Sequence, residues 1–291
     1  ETAIEALRKG AYDYMIKPIN FEDVAIRLEK LLDHKKLLRE NVALRQEVNS
    51  QYGYSNIIGK SKAIRSVFAT VQKVAESESN VLITGKSGTG KELVAKSIHY
   101  NSPHNKGRFL AVNCGAITET LFESEMFGHK KGSFTGAVAD KDGLFQAAHN
   151  GTLFLDEIAE LPLTMQSKLL RALETREILP VGATSTIKVH VRIIAATNNN
   201  LMEQVKKGDF REDLYYRLNV IEIKLPSLED RREDIALLVD HFVKKYNRQM
   251  NKQVVQVDPQ LLEVLINRRW QGEVRELENF IERMMIFAHD D

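Results

Sequence analysis

A glycine-rich segment from Gly85 to Lys91 is the feature that most narrows what this chain can fold into. An apolar run, Val81 to Ile83, precedes it, and residues 92–98 space their apolar side chains like a helix. In such a strand–loop–helix unit, the glycines let backbone N–H groups turn onto an anion, the helix N-terminus adds partial positive charge, and the lysine reaches the terminal phosphates. The pattern therefore predicts a site for ATP or GTP, built from Gly85, Lys86, Ser87, Gly88, Thr89, Gly90, Lys91 and Glu92.

Composition is that of an ordinary globular protein. The length of 291 residues suggests about two domains, and the start at Glu1 rather than Met suggests a fragment. A net charge of +1 gives no electrostatic case for a nucleic-acid surface. Cys114 is the one cysteine, so no intrachain disulfide can form, which is consistent with a reducing cytoplasm. The apolar residues around Cys114 in the sequence favour a buried core position for it. The histidines lack metal-ligand spacing, and no apolar stretch approaches the ~18 residues of a membrane span.

Apolar runs alternate with helical patterns from about residue 56 to 225, which is typical of a mainly parallel sheet between two layers of helices. Helical patterns alone follow, over 230–248, 258–268 and 273–288. We therefore expect a three-layer α/β/α core with a small C-terminal helical lid. The predicted strands are Val81–Thr84, Phe109–Asn113, Thr152–Asp156, Val189–Thr197 and Leu218–Leu225. The predicted core helices include Ile64–Glu76, Glu92–Tyr100, Gln166–Glu174 and Leu201–Lys207.

Two acids, Asp156 and Glu157, directly follow the apolar run Leu153 to Leu155. A phosphate loop needs a carboxylate near its metal ion, held at the end of a strand. Asp156 is the predicted Mg²⁺ ligand, and Glu157 is the predicted general base that polarises the attacking water. Glu92 stands where a Ser or Thr hydroxyl usually binds Mg²⁺. Either Asp156 holds the ion together with phosphate oxygens and waters, or Glu92 assists.

The N-terminal part of the chain is predicted to form helices around one short strand. Ala3 to Leu7 share a helical face, Tyr12 to Ile16 have the pattern of a strand, and Asn20 is expected to cap a second helix. The apolar stripe of that helix continues from Val24 to Val42 with charged interruptions. Both a short, weak coiled coil and a single solvated helix fit the stripe.

Taken in order, the motifs closely resemble those of sigma-54-dependent transcription activators, the bacterial enhancer-binding proteins with an NtrC-type AAA+ ATPase domain. The most specific is Gly-Ser-Phe-Thr-Gly-Ala at 132–137, which resembles the family's Gly-Ala-Phe-Thr-Gly-Ala loop. A glutamate at position 92 is itself usual in that family. The resemblance covers roughly residues 55–289. The other matching segments are Gly85–Glu92, Gly151–Glu157, Ala195–Asn198, Phe210–Val220 and Trp270–Asn279.

The resemblance implies roles for further residues around a bound ATP. Asn113 would hold the catalytic Glu157 in an inactive pose until a partner engages. Lys91 and the loop amides would hold the β- and γ-phosphates. The other implied nucleotide contacts are Thr197 and Asn198 at the γ-phosphate, Ile58 and Gly59 at the adenine, and Arg275 on the lid.

Arg211 and Arg217 match the family's arginine fingers, which a neighbouring subunit supplies to offset charge on the transferred phosphoryl group. The alternative is that both form salt bridges with Glu212 or Asp213. Supply by a neighbour implies that assembly controls hydrolysis. The resemblance implies a ring of about six subunits when active and a dimer when inactive.

A glycine-flanked loop would be the surface that grips sigma-54 of RNA polymerase. Glycine permits tight, mobile backbone, and an apolar tip in water suits a contact point, whereas the alternative folds Phe134 onto the core. Leu179 to Thr186 would form a second loop beside it. The loop residues are Gly132, Ser133, Phe134, Thr135, Gly136 and Ala137. Departures from the family pattern include Lys130 for Glu, Pro180 near a usual Arg, and Glu273 for Asn.

Residues 1–33 resemble the last part of a response-regulator receiver domain, with Lys17 as the phosphate-sensing lysine and Tyr14 as the switch aromatic. The resemblance thus divides the chain into a receiver fragment at 1–33, a helical linker at 34–54, an AAA+ core at 55–226 and a lid at 227–291. A sensor kinase is the expected partner of the receiver. DNA is the expected partner of a helix-turn-helix domain C-terminal to this chain.

The expected function is Mg²⁺-dependent ATP hydrolysis that remodels sigma-54 RNA polymerase in the cytoplasm, under control of a two-component receiver. Two alternatives stay open. One is a nucleotide-gated oligomerisation scaffold that does not hydrolyse, which the acids at 156–157 and the two finger arginines disfavour. The other is a different AAA+ remodelling ATPase, which the loop at 132–137 disfavours.

Overall fold

The computed structural model describes residues 5, 8, 10–15, 17–51 and 57–288. They belong to two compact units, one of residues 1–51 and one of residues 52–291. Within the described ranges, no helix combines the length and the apolar character that a membrane span requires.

A single long helix, α1 (Phe21–Gln51), dominates the N-terminal unit. The Oδ1 atom of Asn20 accepts the backbone N–H of Glu22 at 3.0 Å, so the predicted helix cap is confirmed. Leu28 and Leu32 on this helix are exposed, which leaves the coiled coil and the solvated helix equally open.

The predicted strand at Tyr12 to Ile16 is wrong over its described part. Residues 12–15 form irregular, exposed backbone, and the described part of the N-terminal unit contains no strand that could pair with them. A strand without a partner leaves its backbone groups unpaired, so the local pattern alone does not hold it. Ala3, Ile4, Leu7 and Ile16 lie outside the described residues.

The second unit alternates strands and helices before it ends in helices alone. Its strands are β1 Val81–Thr84, β2 Phe109–Asn113, β3 Gly128–His129, β4 Lys141–Asp142, β5 Thr152–Asp156, β6 Glu177–Ile178, β7 Ile187–Lys188, β8 Arg192–Thr197 and β9 Ile221–Lys224. Its helices are α2 Lys62–Ala75, α3 Lys91–Tyr100, α4 Glu119–Phe127, α5 Leu144–Ala147, α6 Leu163–Thr175, α7 Leu201–Lys207, α8 Glu212–Leu218, α9 Ile235–Met250, α10 Pro259–Asn267 and α11 Glu273–Phe287. Short 3₁₀ turns lie at Pro103–Lys106, Ile158–Glu160 and Glu229–Asp234.

Five parallel strands form the central sheet, in the order β2-β5-β8-β1-β9. The central strands are continuous apolar runs and are almost wholly buried, as expected for a parallel sheet covered on both faces. Because all five strands point the same way, their carboxyl ends meet at one edge of the sheet. That edge carries Thr84, Asn113, Asp156 and Thr197.

Two apolar clusters cover the two faces of the sheet, and a third apolar cluster forms the core of the lid. Helices α2 and α3 bury Val71 and Val94 against one face of the sheet. Helices α4, α6, α7 and α8 cover the other face. The lid helices α9 and α11 pack around Phe242, Trp270 and Leu277. The predicted three-layer α/β/α core with a helical lid is therefore confirmed.

Two predicted strands begin too early. The Val189 N–H bonds to the carbonyl of Arg176 at the end of α6, so β8 begins only at Arg192. Leu218 is the buried last residue of α8 rather than the start of β9. In both cases an apolar residue serves the core from outside the strand, which an apolar pattern alone does not reveal.

Candidate active site

The phosphate loop follows β1 and leads into α3. Gly90 caps α3 with φ of 101°, a left-handed backbone that glycine adopts without strain. Thr89 donates its hydroxyl to the carbonyl of Lys86 at 2.7 Å, which closes the loop on itself. The first N–H groups of a helix have no partner within the helix, so the start of α3 offers donors to an anion held by this loop.

Lys91 is buried at the start of α3, and its ammonium lies inside the loop. Its Nζ donates to the carbonyl oxygens of Gly85 at 2.9 Å and Lys86 at 3.2 Å. Burial lowers the pKa of Lys91, while the carboxylates of Asp156 and Glu157 act in the opposite direction. The ammonium and both acids therefore share one electrostatic site, as the sequence predicts.

The two acids are held at the carboxyl end of β5. Asp156 pairs in register with Asn113 of β2. Burial raises the pKa of the Asp156 carboxyl, and the N–H of Glu157, which it accepts at 3.0 Å, and nearby Lys91 oppose that shift. Glu157 has φ of 53°, a left-handed conformation that costs a non-glycine residue free energy and is enriched at active sites.

Asn113 and Glu157 both lie over Gly115. The Oδ1 atom of Asn113 accepts the Gly115 N–H at 2.9 Å. A Cβ added to Gly115 would lie 3.2 Å from Oε2 of Glu157 and 3.4 Å from Oδ1 of Asn113. The structure thus brings the predicted switch asparagine and the predicted general base to one place, with the switch itself still a prediction.

Cys114 lies between Asn113 and Gly115 in the chain, and the prediction that it is a core residue is confirmed. The thiol is buried, and burial raises its pKa to about 12. A thiol that stays protonated at neutral pH is a poor nucleophile, so this cysteine contributes packing to the site.

Thr197 and Asn198 stand at the end of β8, beside the phosphate loop. The Gly85 N–H donates to the Thr197 carbonyl at 3.2 Å. Asn198 is exposed and, together with Gly85 and Lys86, lines a cleft of about 610 Å³. This position is compatible with a γ-phosphate sensor, and that role stays a prediction.

Two residues of the lid donate hydrogen bonds to the phosphate loop. The Arg275 N–H donates to the Gly88 carbonyl at 3.3 Å, so the predicted lid residue lies at the site through its backbone. Arg231 is buried, and its Nη2 donates to the Thr89 carbonyl at 3.3 Å. Sequence reasoning missed Arg231, because a charged residue in a helical pattern is usually on the solvated face.

Asp234 is a second residue that sequence reasoning missed. It is fully buried, and its Oδ1 accepts the N–H groups of Lys60 at 2.6 Å and Ser61 at 2.9 Å. Its Oδ2 accepts the Ser61 hydroxyl at 2.6 Å. Asp234 thus holds the segment that follows Ile58 and Gly59, the predicted adenine contacts, against the first residues of the lid.

The two predicted arginine fingers lie on and just before α8. Arg211 forms an ion pair with Asp213, 2.6 Å between Nη2 and Oδ2, which is the salt bridge that the alternative reading expected for it. The Nη2 of Arg217 donates to the Leu173 carbonyl at 3.1 Å. Within the described residues, neither arginine bonds to the chain's own phosphate loop, and supply to a neighbouring subunit stays a prediction.

The loop at 132–137 closes as a tight turn. The Gly132 N–H donates to the Ala137 carbonyl at 2.8 Å, and the Ala137 N–H donates to the Phe134 carbonyl at 3.0 Å. Phe134 is 40% exposed, with its ring edge-on to His129 at 5.0 Å between centroids. The ring therefore rests on the base of the loop and is not buried in the core.

A metal cage made of protein ligands alone is not found: the described residues contain no suitable group of three or more His, Cys, Asp or Glu. Mg²⁺ is usually bound through one or two carboxylates together with nucleotide phosphates and water. Asp156 beside the phosphate loop fits that kind of site.

Comparison with known proteins points to one family. The model of the "Sigma-54 interaction domain" matches residues 57–224, and that of the "AAA+ ATPase lid domain" matches residues 229–291. The regulatory protein AtoC of Escherichia coli is 48% identical over 98% of this chain, which spans 62% of AtoC. The Nif-specific regulatory protein of Herbaspirillum seropedicae is 48% identical over 89% of this chain, which spans 48% of that protein.

Solved structures show the same likeness. NtrX from Brucella abortus in complex with ATP has a TM-score of 0.80 and 39% identity, covering all of this chain, which spans 62% of NtrX. An NtrX structure in complex with ADP has the same TM-score of 0.80.

Proposed function

The chain belongs to the AAA+ ATPases that carry a sigma-54 interaction domain, and we propose on that premise that it hydrolyses ATP to remodel sigma-54 RNA polymerase. The single observation that carries the proposal is the meeting of Lys91, Asp156 and Glu157 at one edge of the sheet, under a lid bonded to the phosphate loop. The relatives are longer than this chain, which spans 62% of AtoC and 48% of the Nif-specific regulatory protein. The proposal therefore concerns the function of the region that this chain covers.

The geometry supports one role for each of these residues. Lys91 leaves the loop carbonyls to bind the terminal phosphates, Asp156 would hold Mg²⁺, and Glu157 takes a proton from the attacking water. Mg²⁺, when bound, neutralises charge on the phosphates. Asn113, which lies over the same glycine as Glu157, restrains the glutamate until a partner engages.

Arg211 and Arg217 complete the site of an adjacent subunit in a ring of about six. For Arg211, this requires exchange of the Asp213 carboxylate for phosphate oxygens, a modest cost because the pair is about half exposed. The linker helix holds subunits as an inactive dimer, and the receiver fragment at 1–33 conveys the signal of a sensor kinase. A domain C-terminal to residue 291 would bind DNA. The protein would act in the cytoplasm.

Nucleotide state controls the loop at 132–137. ATP-like and ADP states hold the loop in different positions, and the exposed face of Phe134 contacts sigma-54 in one of them. The main chain just before this loop is tied to the second loop at 179–186, since the Lys130 N–H donates to the Val181 carbonyl at 2.9 Å. The two loops therefore move together.

Mixing two inactive variants tests shared sites. Lys91→Ala removes the phosphate lysine but keeps the fingers, and Arg217→Ala removes a finger but keeps the phosphate lysine. Each alone should release phosphate at a small fraction of the wild-type rate, because a finger is worth about 10³–10⁵ in rate. A mixture should recover part of the activity, with upward curvature against protein concentration. No recovery, with wild-type rates proportional to concentration, would contradict shared sites; no release by the wild type at any concentration would favour the scaffold.

A further inference from the structure

Glu273 is a buried acid at the first position of the lid helix α11. Its side chain is only 1% exposed, and its φ of 57° lies in the left-handed region, which is strained for a non-glycine residue. A glutamate is rarely buried to this extent unless it is paired. Both features indicate that the surrounding structure fixes this residue in place.

The two carboxylate oxygens of Glu273 join the lid to different parts of the core. Oε2 accepts the backbone N–H of Leu228, where the chain passes from core to lid. Oε1 lies 3.3 Å from Nζ of Lys86, on the phosphate loop. One side chain thus contacts both the hinge of the lid and the nucleotide site.

The main chain and the side chain of Lys86 contact two different parts of the structure. Its carbonyl oxygen accepts the Thr89 hydroxyl at 2.7 Å and the Lys91 ammonium at 3.2 Å, so its main chain belongs to the phosphate loop. Its side chain, 59% exposed, instead reaches the lid acid. The buried Arg231 also interacts electrostatically with Glu273, but its Nη2 donates a hydrogen bond to the Thr89 carbonyl instead.

We propose that Lys86 is a positioning residue that acts through Glu273: it neutralises the buried acid, so that the lid can close on the phosphate loop while an anionic nucleotide is bound. This inference rests on the proposed nucleotide site. A carboxylate buried beside that site repels the phosphates and costs free energy unless a cation accompanies it. Lys86 is the cation that forms an ion pair with Glu273, and it comes from the loop itself.

A double-mutant cycle separates this role from direct phosphate binding by the Lys86 ammonium. Lys86→Met removes the cation, and Glu273→Gln removes the acid while its amide oxygen still accepts the Leu228 N–H. Affinity for fluorescently labelled ADP and ATPγS is measured in the full 291-residue chain. Lys86→Met should weaken binding about tenfold in the wild-type background and less than about twofold in the Glu273→Gln background.

Conservative and distant variants complete the test. Lys86→Arg keeps the charge and should retain affinity within about twofold, and the exposed Lys207→Met should match the wild type. Equal weakening by Lys86→Met in both backgrounds would overturn the proposal in favour of a direct phosphate contact. No weakening in either background would overturn it as well. Failure of the wild type to bind either nucleotide would instead reject the nucleotide site itself, so the two failures are distinguishable.

Discussion

Gly88 of the phosphate loop packs directly against Gly272, the residue before the lid helix: a Cβ added to Gly88 would lie 2.3 Å from the Gly272 carbonyl oxygen. No side chain fits at that distance, so the loop or the lid would have to shift. The contact makes the seating of the lid depend on a bare main chain at one position of the nucleotide site.

Gly88→Ala should therefore weaken nucleotide binding by more than its backbone strain explains. Gly208 is a matched control, because its φ of 84° is close to the 82° of Gly88 while a Cβ there would meet no atom within 4 Å. Gly208→Ala should lower the free energy of unfolding by about 1 kcal/mol through backbone strain, and Gly88→Ala should lower it by more because of the added clash with Gly272. Only Gly88→Ala should also lower ADP affinity, by about tenfold or more. Denaturant titration and nucleotide fluorescence measure the two effects, and equal loss of affinity in both variants would contradict the prediction.

Glu157→Gln should bind ATP but not turn it over. The amide keeps the shape of the side chain and removes the proton acceptor, and loss of a general base typically costs about 10²–10⁴ in rate. Steady-state phosphate release and nucleotide affinity are measured side by side, with the exposed Glu174→Gln of α6 as the control. Near-normal turnover by Glu157→Gln would remove this residue from its proposed role.

Phe134→Ala should separate hydrolysis from partner binding. The ring is half exposed on its loop and lies outside the described core clusters, so its removal should leave ATP turnover within about twofold. Capture of purified sigma-54 in the presence of a transition-state analogue should be lost. Val255→Ala, at a 96% exposed apolar position of the lid, controls for loss of surface apolar area. Unchanged capture by Phe134→Ala would reject the assignment of the loop.

Acid should destabilise the fold in part through His99. This side chain is fully buried, its Nδ1 lies 2.8 Å from the Thr152 hydroxyl oxygen, and burial lowers its pKa from 6.5 to about 4, with His104 and Arg192 adding to the shift. Between those values the unfolded chain binds a proton that the folded chain does not, so stability falls as the pH drops from 6.5 towards about 4. The loss attributable to His99 is at most on the order of 3 kcal/mol.

Urea unfolding across this pH range, for the wild type and for His99→Gln, measures that contribution. The variant should have a lower free energy of unfolding near neutral pH and a shallower decline below pH 6.5. The low pKa of His104, which also arises mainly from burial, leaves a residual slope of the same sign. Parallel curves for the two proteins would show that His99 does not contribute.

The sequence predicts the sheet well where a strand serves the core with every residue. The bounds of β1 and β5 match the predicted runs, because strands covered on both faces are mostly apolar. The bounds of β2 match as well, although this edge strand is only partly buried. The family assignment, the AAA+ fold and the ATPase class are confirmed by the matches to residues 57–224 and 229–291. Motif spacing at the phosphate loop supports the nucleotide-binding prediction, whereas the family prediction rests on the order of all the motifs and above all on the loop at 132–137.

The lid side of the site was not predictable in the same way. Arg231, Asp234 and Glu273 occupy a polar segment and a helix start, where charge normally marks solvent. Their burial is a property of how the lid meets the core, which arises from tertiary packing and leaves no local pattern. Glu273 stood out in the sequence only as a departure from the family.

The left-handed backbone of Glu157 sets thermal robustness and chemical output against each other. At φ of 53° a glycine would be less strained than a glutamate, yet glycine lacks the carboxylate that we propose activates the attacking water. Selection for heat resistance alone would therefore favour glycine at this position, and the resulting protein, though more resistant to heat, would no longer consume ATP.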